Sequence, residues 1–176
     1  ADDGHAPRSA WFGCACCPSN LARLIPQISG YMYASDDHRL FCGLYGNNSA
    51  DLNVDNVKVH VDQITDYPFD GVIDLDIKPQ RPTEFELTLR IPSWAQSQFV
   101  PGELYHFSRP SADWRLTVNG EPVQAKLDRG FAVIRREWKA GDRVRLELPM
   151  DVRANTCIDK VEADRHRVAI TRGPLL

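Results

Sequence analysis

The chain has 176 residues, of which 43% are hydrophobic and 26% charged, and a formal net charge of -3. That length supports one domain, or one domain plus a piece of another, with enough chain to bury a real core. The weak negative charge argues against a nucleic-acid face, which asks for a strongly basic patch, and no apolar run approaches the roughly 18 residues that cross a bilayer.

The first residues, Ala1-Asp2-Asp3-Gly4-His5, are polar and acidic, unlike a signal peptide, and there is no initiator Met. The chain therefore reads as a piece of a longer one. Ala1 to Pro18 carries no sustained period. A short helix is expected from Ser19 to Ile28, with Ser19 as its N-cap and Pro26 and Gly30 limiting its length. Leu21, Leu24, Ile25 and Ile28 fall at i, i+3, i+4 and i+7, which predicts one buried face.

After Gly30 the period changes to two. Tyr31 to Ala34 and Leu40 to Tyr45 flank the polar turn Ser35-Asp36-Asp37-His38 and predict a hairpin. Val57 to Val61, Val72 to Ile77 and Glu84 to Ile91 alternate apolar and polar residues, as strands with one face on a core and one in water do. Gln96 to Ala112 breaks the rhythm with Pro101, Gly102 and Pro110, and reads as a long loop pinned by Phe99, Tyr105 and Phe107. Strands resume at Trp114 to Val118. Asn119-Gly120 is a strong two-residue hairpin turn. Phe131 to Ile134 and Val144 to Leu148 follow, turning at Ala140-Gly141-Asp142, and Val168 to Thr171 is the last strand. Many short strands and one short helix predict a mainly β fold, an antiparallel β-sandwich.

The chemistry concentrates in the cysteines. There are five: Cys14, Cys16, Cys17, Cys42 and Cys157. An odd count argues against a complete disulfide framework. Cys42 and Cys157 sit singly in strand-like segments and read as buried small hydrophobes. Cys14-Ala15-Cys16-Cys17 has two readings. It is structural, as half of a zinc site or as cysteines bonded to another segment, or it carries a reactive thiolate. Adjacent Cys16 and Cys17 resist a disulfide with each other on geometric grounds, yet both can hold one soft metal ion where the backbone turns. Zinc favours tetrahedral thiolate sets, coordination removes the thiol proton, and a helix starting just after Cys17 favours the anion.

Trp11-Phe12-Gly13-Cys14-Ala15-Cys16-Cys17-Pro18-Ser19-Asn20-Leu21-Ala22-Arg23 resembles glycoside hydrolase family 127, the β-L-arabinofuranosidase family. The likeness continues at Gly30 to Ala34, Thr65 to Gly71, Leu89 to Trp94, Val118 to Val123, Val161 to Arg165 and Ile170 to Leu175, in family order. The Cys-x-Cys-Cys-Pro-x-Asn core is its specific part. The resemblance implies a catalytic (α/α)6 barrel followed by β-sandwich domains. Residues 1–29 would be the barrel's C-terminal end and 30–176 a jelly-roll-like sandwich region, split into a middle domain of about 30–118 and an incomplete second one of about 119–176. It implies Cys16 as nucleophile, Cys16 and Cys17 as ligands of Zn2+, and a further Cys, a Glu ligand and an acid/base Glu upstream. It assigns Cys14 no ligand role, and a buried structural thiol is the simpler reading. The implied reaction is retaining hydrolysis of terminal β-L-arabinofuranosides. The partners implied are an arabinofuranoside-containing oligosaccharide or glycoconjugate and the catalytic barrel. On its own this piece would be inactive.

Other residues have simpler readings. Trp94, Trp114 and Trp138 could stack on sugar rings, but core or edge packing is expected. Asp36, Asp37, Asp74 and Asp76 read as solvated residues, Glu162 and Asp164 as surface or salt-bridge groups, and His38, His60, His106 and His166 show no metal-ligand spacing. Asn47-Asn48-Ser49 matches the glycosylation sequon, a short and common match. The competing functional readings are a non-catalytic carbohydrate-binding or structural sandwich, and a zinc-ribbon-like module, which the lack of a second Cys pair weakens.

Overall fold

The computed structural model describes residues 16–99 and 102–176. A helix, α1 (Cys16–Gln27), leads through a 3-10 turn at Ile28–Tyr31 into fourteen strands. The first six are β1 (Tyr33–Ser35), β2 (Arg39–Cys42), β3 (Asn48–Val54), β4 (Val57–Thr65), β5 (Val72–Pro79) and β6 (Thr83–Arg90). After a 3-10 turn at Ser93–Gln96 come β7 (Tyr105–Phe107), β8 (Arg115–Val118), β9 (Glu121–Pro122), β10 (Lys126–Asp128), β11 (Phe131–Trp138) and β12 (Asp142–Glu147). The last two are β13 (Val152–Cys157) and β14 (Ala169–Arg172).

One sheet runs β1-β2-β6-β11-β10 and a second β3-β4-β5-β12-β8-β9. Their apolar faces share one core. Leu40, Phe85, Leu87, Leu89 and Ile134 come from the first sheet; Val59, Val61, Ile73, Leu75, Ile77, Val144 and Leu146 come from the second. In β4, β5 and β12 every second residue is buried, which is the alternation of the sequence turned into two faces. The sandwich is thus as expected, with one departure: β2 pairs with β6 in parallel, because the chain crosses to the other sheet for three strands before returning.

The turn chemistry also holds. Asp36 caps the β1–β2 turn, accepting from the His38 N–H at 2.9 Å and from Arg39 Nε at 2.9 Å. Asn119 and Gly120 both have positive φ, 54° and 85°, the conformation a two-residue hairpin demands. Val118 pairs with Glu121 across the turn.

Four expectations need correction. The helix already includes Cys16, upstream of the expected start at Ser19. Ser19 is not its cap: the hydroxyl donates back to the Cys16 carbonyl at 3.1 Å, a bond that Ser makes inside helices. Pro26 deprives the last turn of a donor, and the helix gives way to the 3-10 turn there.

Second, the apolar stripe of the helix is not buried. Leu21 is 57% exposed, Leu24 49%, Ile25 63% and Ile28 43%. Periodicity reports that a helix has an apolar face, not that its partner lies in the same chain.

Third, the segment read as a loop contains β7, which pairs with β13. Its aromatics do pin it: Phe99 packs edge-on against Tyr105 and Phe107, with ring centroids 6.1 and 5.7 Å apart.

Fourth, the division near 118/119 falls inside the β8–β9 hairpin of one sheet. β11 pairs with β6, and β12 lies between β5 and β8, so strands from both sides of that point close the same core. A separate three-stranded sheet, β14-β13-β7, follows instead.

Candidate functional site

Cys16 and Cys17 are neighbours on α1, both exposed. Their sulfurs lie 3.8 Å apart. That excludes a disulfide between the two, whose sulfurs would sit about 2.05 Å apart. It matches another arrangement: two sulfurs each about 2.3 Å from one tetrahedral zinc stand about 3.8 Å apart. On the next turn Arg23 donates to Asn20 Oδ1 at 3.4 Å, so the Asn of the cysteine motif is held on the same exposed helix.

A tetrahedral zinc takes four ligands, so two sulfurs alone would not complete one. Among the described residues no group of three or more His, Cys, Asp or Glu side chains could hold a metal ion. Cys14 lies outside the described residues. The remaining cysteines are remote in role. Cys42 is fully buried, and burial pushes its thiol up to about 12. Cys157 is only half-buried and donates weakly to the Val161 carbonyl at 3.8 Å, so its expected full burial is corrected.

Trp138 is fully buried, donates from Nε1 to the Phe85 carbonyl at 3.1 Å and stacks on Phe85. Trp94 is 7% exposed and Trp114 packs against the core. These are core residues. Asp74 and Asp76 pair with Arg145 and Arg143, Glu162 pairs with Arg165, and Asp164 accepts from the Tyr105 hydroxyl. Asn47, the sequon position, accepts from the Thr65 N–H at 2.7 Å.

Among the described residues the histidines form no metal site, but His60 has two carboxylate partners. Nδ1 faces Asp51 at 2.7 Å and Nε2 faces Asp62 at 3.2 Å. Only the imidazolium can donate to both. The Asp51 hydrogen bond, with Asp62 beside it, holds the ring above its usual value. A raised folded value means that the stabilisation is fully present below pH about 6.5 and is lost as pH rises through the folded pKa. NMR titration of the ring is expected to show that value raised, and lowered again in Asp51→Asn. A His60 titration unmoved by that substitution contradicts the geometry.

With the site described, the relatives can be placed. The profile for the β-L-arabinofuranosidase GH127 middle domain matches residues 39–150. The chain belongs to the GH127 family. It is 32% identical to the non-reducing end β-L-arabinofuranosidase of Bifidobacterium longum subsp. longum over 96% of this chain and 24% of the relative. A solved GH127 β-arabinofuranosidase superposes with a TM-score of 0.89 at 41% identity, over 98% of this chain and 27% of the other. A GH127 β-L-arabinofuranosidase from Geobacillus stearothermophilus T6 gives 0.81 at 38% identity, over 95% and 24%. The chain thus spans about a quarter of the length of these relatives. The 39–150 match coincides with the two-sheet sandwich, and α1 with its cysteine pair lies on its N-terminal side. The GH127 middle domain therefore runs through the 118/119 point, in agreement with the strand pairing.

Proposed function

We propose that this chain is the junction of a retaining glycoside hydrolase of the GH127 family. It carries the nucleophile on α1 and the sandwich that follows the catalytic barrel, and its substrates are terminal β-L-arabinofuranosides of an oligosaccharide or glycoconjugate. The observation that carries the reading is the sulfur pair 3.8 Å apart on an exposed helix, in a chain whose relatives bear the name β-L-arabinofuranosidase. Residues 1–29 then form the barrel's end, and the exposed stripe Leu21, Leu24, Ile25 and Ile28 is the face that packs on the barrel's other helices.

Cys16 and Cys17 would hold Zn2+ together with a Cys and a Glu contributed upstream. Zinc, when bound, removes the thiol protons and keeps Cys16 a thiolate at neutral pH. The Cys16 sulfur attacks the anomeric carbon. The bond from that carbon to the leaving oxygen breaks, and the oxygen takes a proton from an upstream Glu. The same Glu, now a carboxylate, deprotonates a water that displaces the sulfur from the sugar. Two displacements at one carbon return its original configuration. Cys17 holds position and does not bond to the sugar.

The isolated chain lacks the acid/base, so the 176-residue protein is expected to hydrolyse no aryl β-L-arabinofuranoside. Its circular dichroism should be dominated by strand. Turnover by the purified chain that disappears in Cys16→Ser would mean that the acid/base lies within it, against this assignment.

A further inference from the structure

β3 is an edge strand of the six-stranded sheet. Backbone pairing reaches it from β4 alone, and of its seven residues only Val54 is fully buried. Both ends are held. Asn47, just before the strand, takes the Thr65 N–H, and Val54 pairs with Val57 across the turn into β4. Between them Ala50 and Leu52 are half-buried, and Ser49, Asp51 and Asn53 are exposed. A segment with so little apolar burial sits at the low end of local stability.

Besides the backbone, its middle is tied to β4 on the outer face of the sheet. In register, Ser49 stands opposite Asp62, Asp51 opposite His60 and Asn53 opposite Lys58. On the other side of β4, Lys78 and Asp76 of β5 stand opposite His60 and Asp62. The His60 ring reaches Asp51 across the strands and Asp62 on its own strand. The charged groups on the ring's face are therefore Asp51 from β3, Lys58 and Asp62 from β4, and Lys78 and Asp76 from β5, with Asp76 taken by Arg143. The rest of the ring meets solvent.

The two carboxylates differ in their other commitments. Asp62 also accepts from Lys78 and from Ser49, and these bonds hold its carboxyl down at about 2. It is thus an anion wherever the imidazole titrates. Asp51 has His60 as its one side-chain partner among the described residues. A neutral imidazole carries a single N–H. Whichever nitrogen keeps it, the other turns a lone pair toward a carboxylate, and one of the two ties becomes a repulsion.

We infer that His60 is a pH-responsive clasp on the sheet edge: as imidazolium it fastens the middle of β3 to β4, and on losing its proton it lets Ser49 to Asn53 loosen while the rest of the sandwich stays closed. The clasp is shut below pH about 6.5 and opens as pH rises through the folded value, which the Asp51 hydrogen bond holds above the ordinary one. It is independent of the cysteine pair and stands whether or not the parent hydrolyses arabinofuranosides.

The test is amide hydrogen exchange of the 176-residue chain, followed by NMR from about pH 5.5 to about pH 8 and divided at each pH by the intrinsic rate of the same residue. Protection of the β3 amides bonded to β4 is expected to fall about threefold across the His60 titration, the effect of one exposed ion pair. Amides of β5 and β12 should hold theirs. In His60→Gln, whose side chain cannot charge, β3 protection should show no pH dependence. Flat β3 protection in the unsubstituted chain overturns the clasp. So does an equal fall in β5 and β12, which marks a global loss of stability. A fall in His60→Gln as large as in the unsubstituted chain assigns the titration to another group and overturns it as well.

Discussion

Serine in place of Cys16 in the parent enzyme is expected to lower kcat by about three orders of magnitude or more. The substitution exchanges a polarizable thiolate for a hydroxyl that stays protonated at neutral pH, so the first displacement loses its nucleophile. KM should change less than kcat, because the loss falls on a bond formed only as the reaction proceeds. Cys17→Ser should act through the metal, with zinc per protein falling first and activity following it. The two substitutions are therefore separable by metal content: Cys16→Ser loses turnover even where some zinc remains. A cysteine-directed electrophile shaped like the arabinofuranosyl ring should label Cys16. Peptide mass spectrometry decides the matter, and an adduct on Cys17 or Cys14 with Cys16 unmodified overturns the assignment. The 3.8 Å sulfur separation is what makes the test necessary, since both thiols can reach one metal ion and only one can be aligned with the sugar.

Gly71→Ala is expected to destabilise the fold by about 3 kcal/mol, a drop of roughly 6–12 °C in the thermal midpoint. Gly71 is buried where the chain enters β5, and its carbonyl accepts from the Leu148 N–H at 2.8 Å. A Cβ there would stand 2.9 Å from Met150 Cγ and closer still to the Leu148 carbonyl oxygen, at 2.1 Å. Met150 can move, but Leu148 is backbone at the end of β12, the strand paired to β5 along Asp142–Glu147. Relief therefore requires shifting one central strand of the six-stranded sheet against another. Gly30→Ala is the control, since a Cβ at that position meets nothing within 4 Å. A midpoint for Gly71→Ala within about 2 °C of the unsubstituted chain shows that the junction yields, and the rigid-contact argument then fails. The same residue closes the Thr65 to Gly71 block that carries part of the family resemblance.

The strands that were legible in the sequence are those with an apolar inner face. Val57-Lys58-Val59-His60-Val61 and Val72 to Ile77 announce their burial residue by residue. Among the strands that escaped that reading, β3, β7 and β13 each did so for a chemical reason. β3, Asn-Ser-Ala-Asp-Leu-Asn-Val, buries only Val54 fully. β13 places Arg153 and Asn155 on its buried positions, so alternation of hydrophobicity vanishes where alternation of burial persists. β7 is three residues long and lies among prolines and aromatics that mark a loop. For β13, the signal that could have helped was the spacing of its two polar residues, which is two, rather than their type.

The cysteine site divides in the same way. The residue types at 16 and 17, the Pro that follows them and the surrounding motif belong to the sequence, and with them the family. That Ser19 lies inside the helix rather than at its start, and that the two sulfurs stand 3.8 Å apart, is set by backbone geometry that the Ser19 capping signal did not report. By itself, the sequence determined the two periods, the hairpin turns and the cysteine motif, because these depend on neighbours a few residues apart. Only the tertiary structure decided that β11 and β12 close the sheets begun by β6 and β5, that the stripe of α1 stays exposed, and that Asn155 is buried with its oxygen unpaired. Those outcomes depend on which distant surfaces meet, and a chain's local pattern states what each surface needs without naming the surface that supplies it.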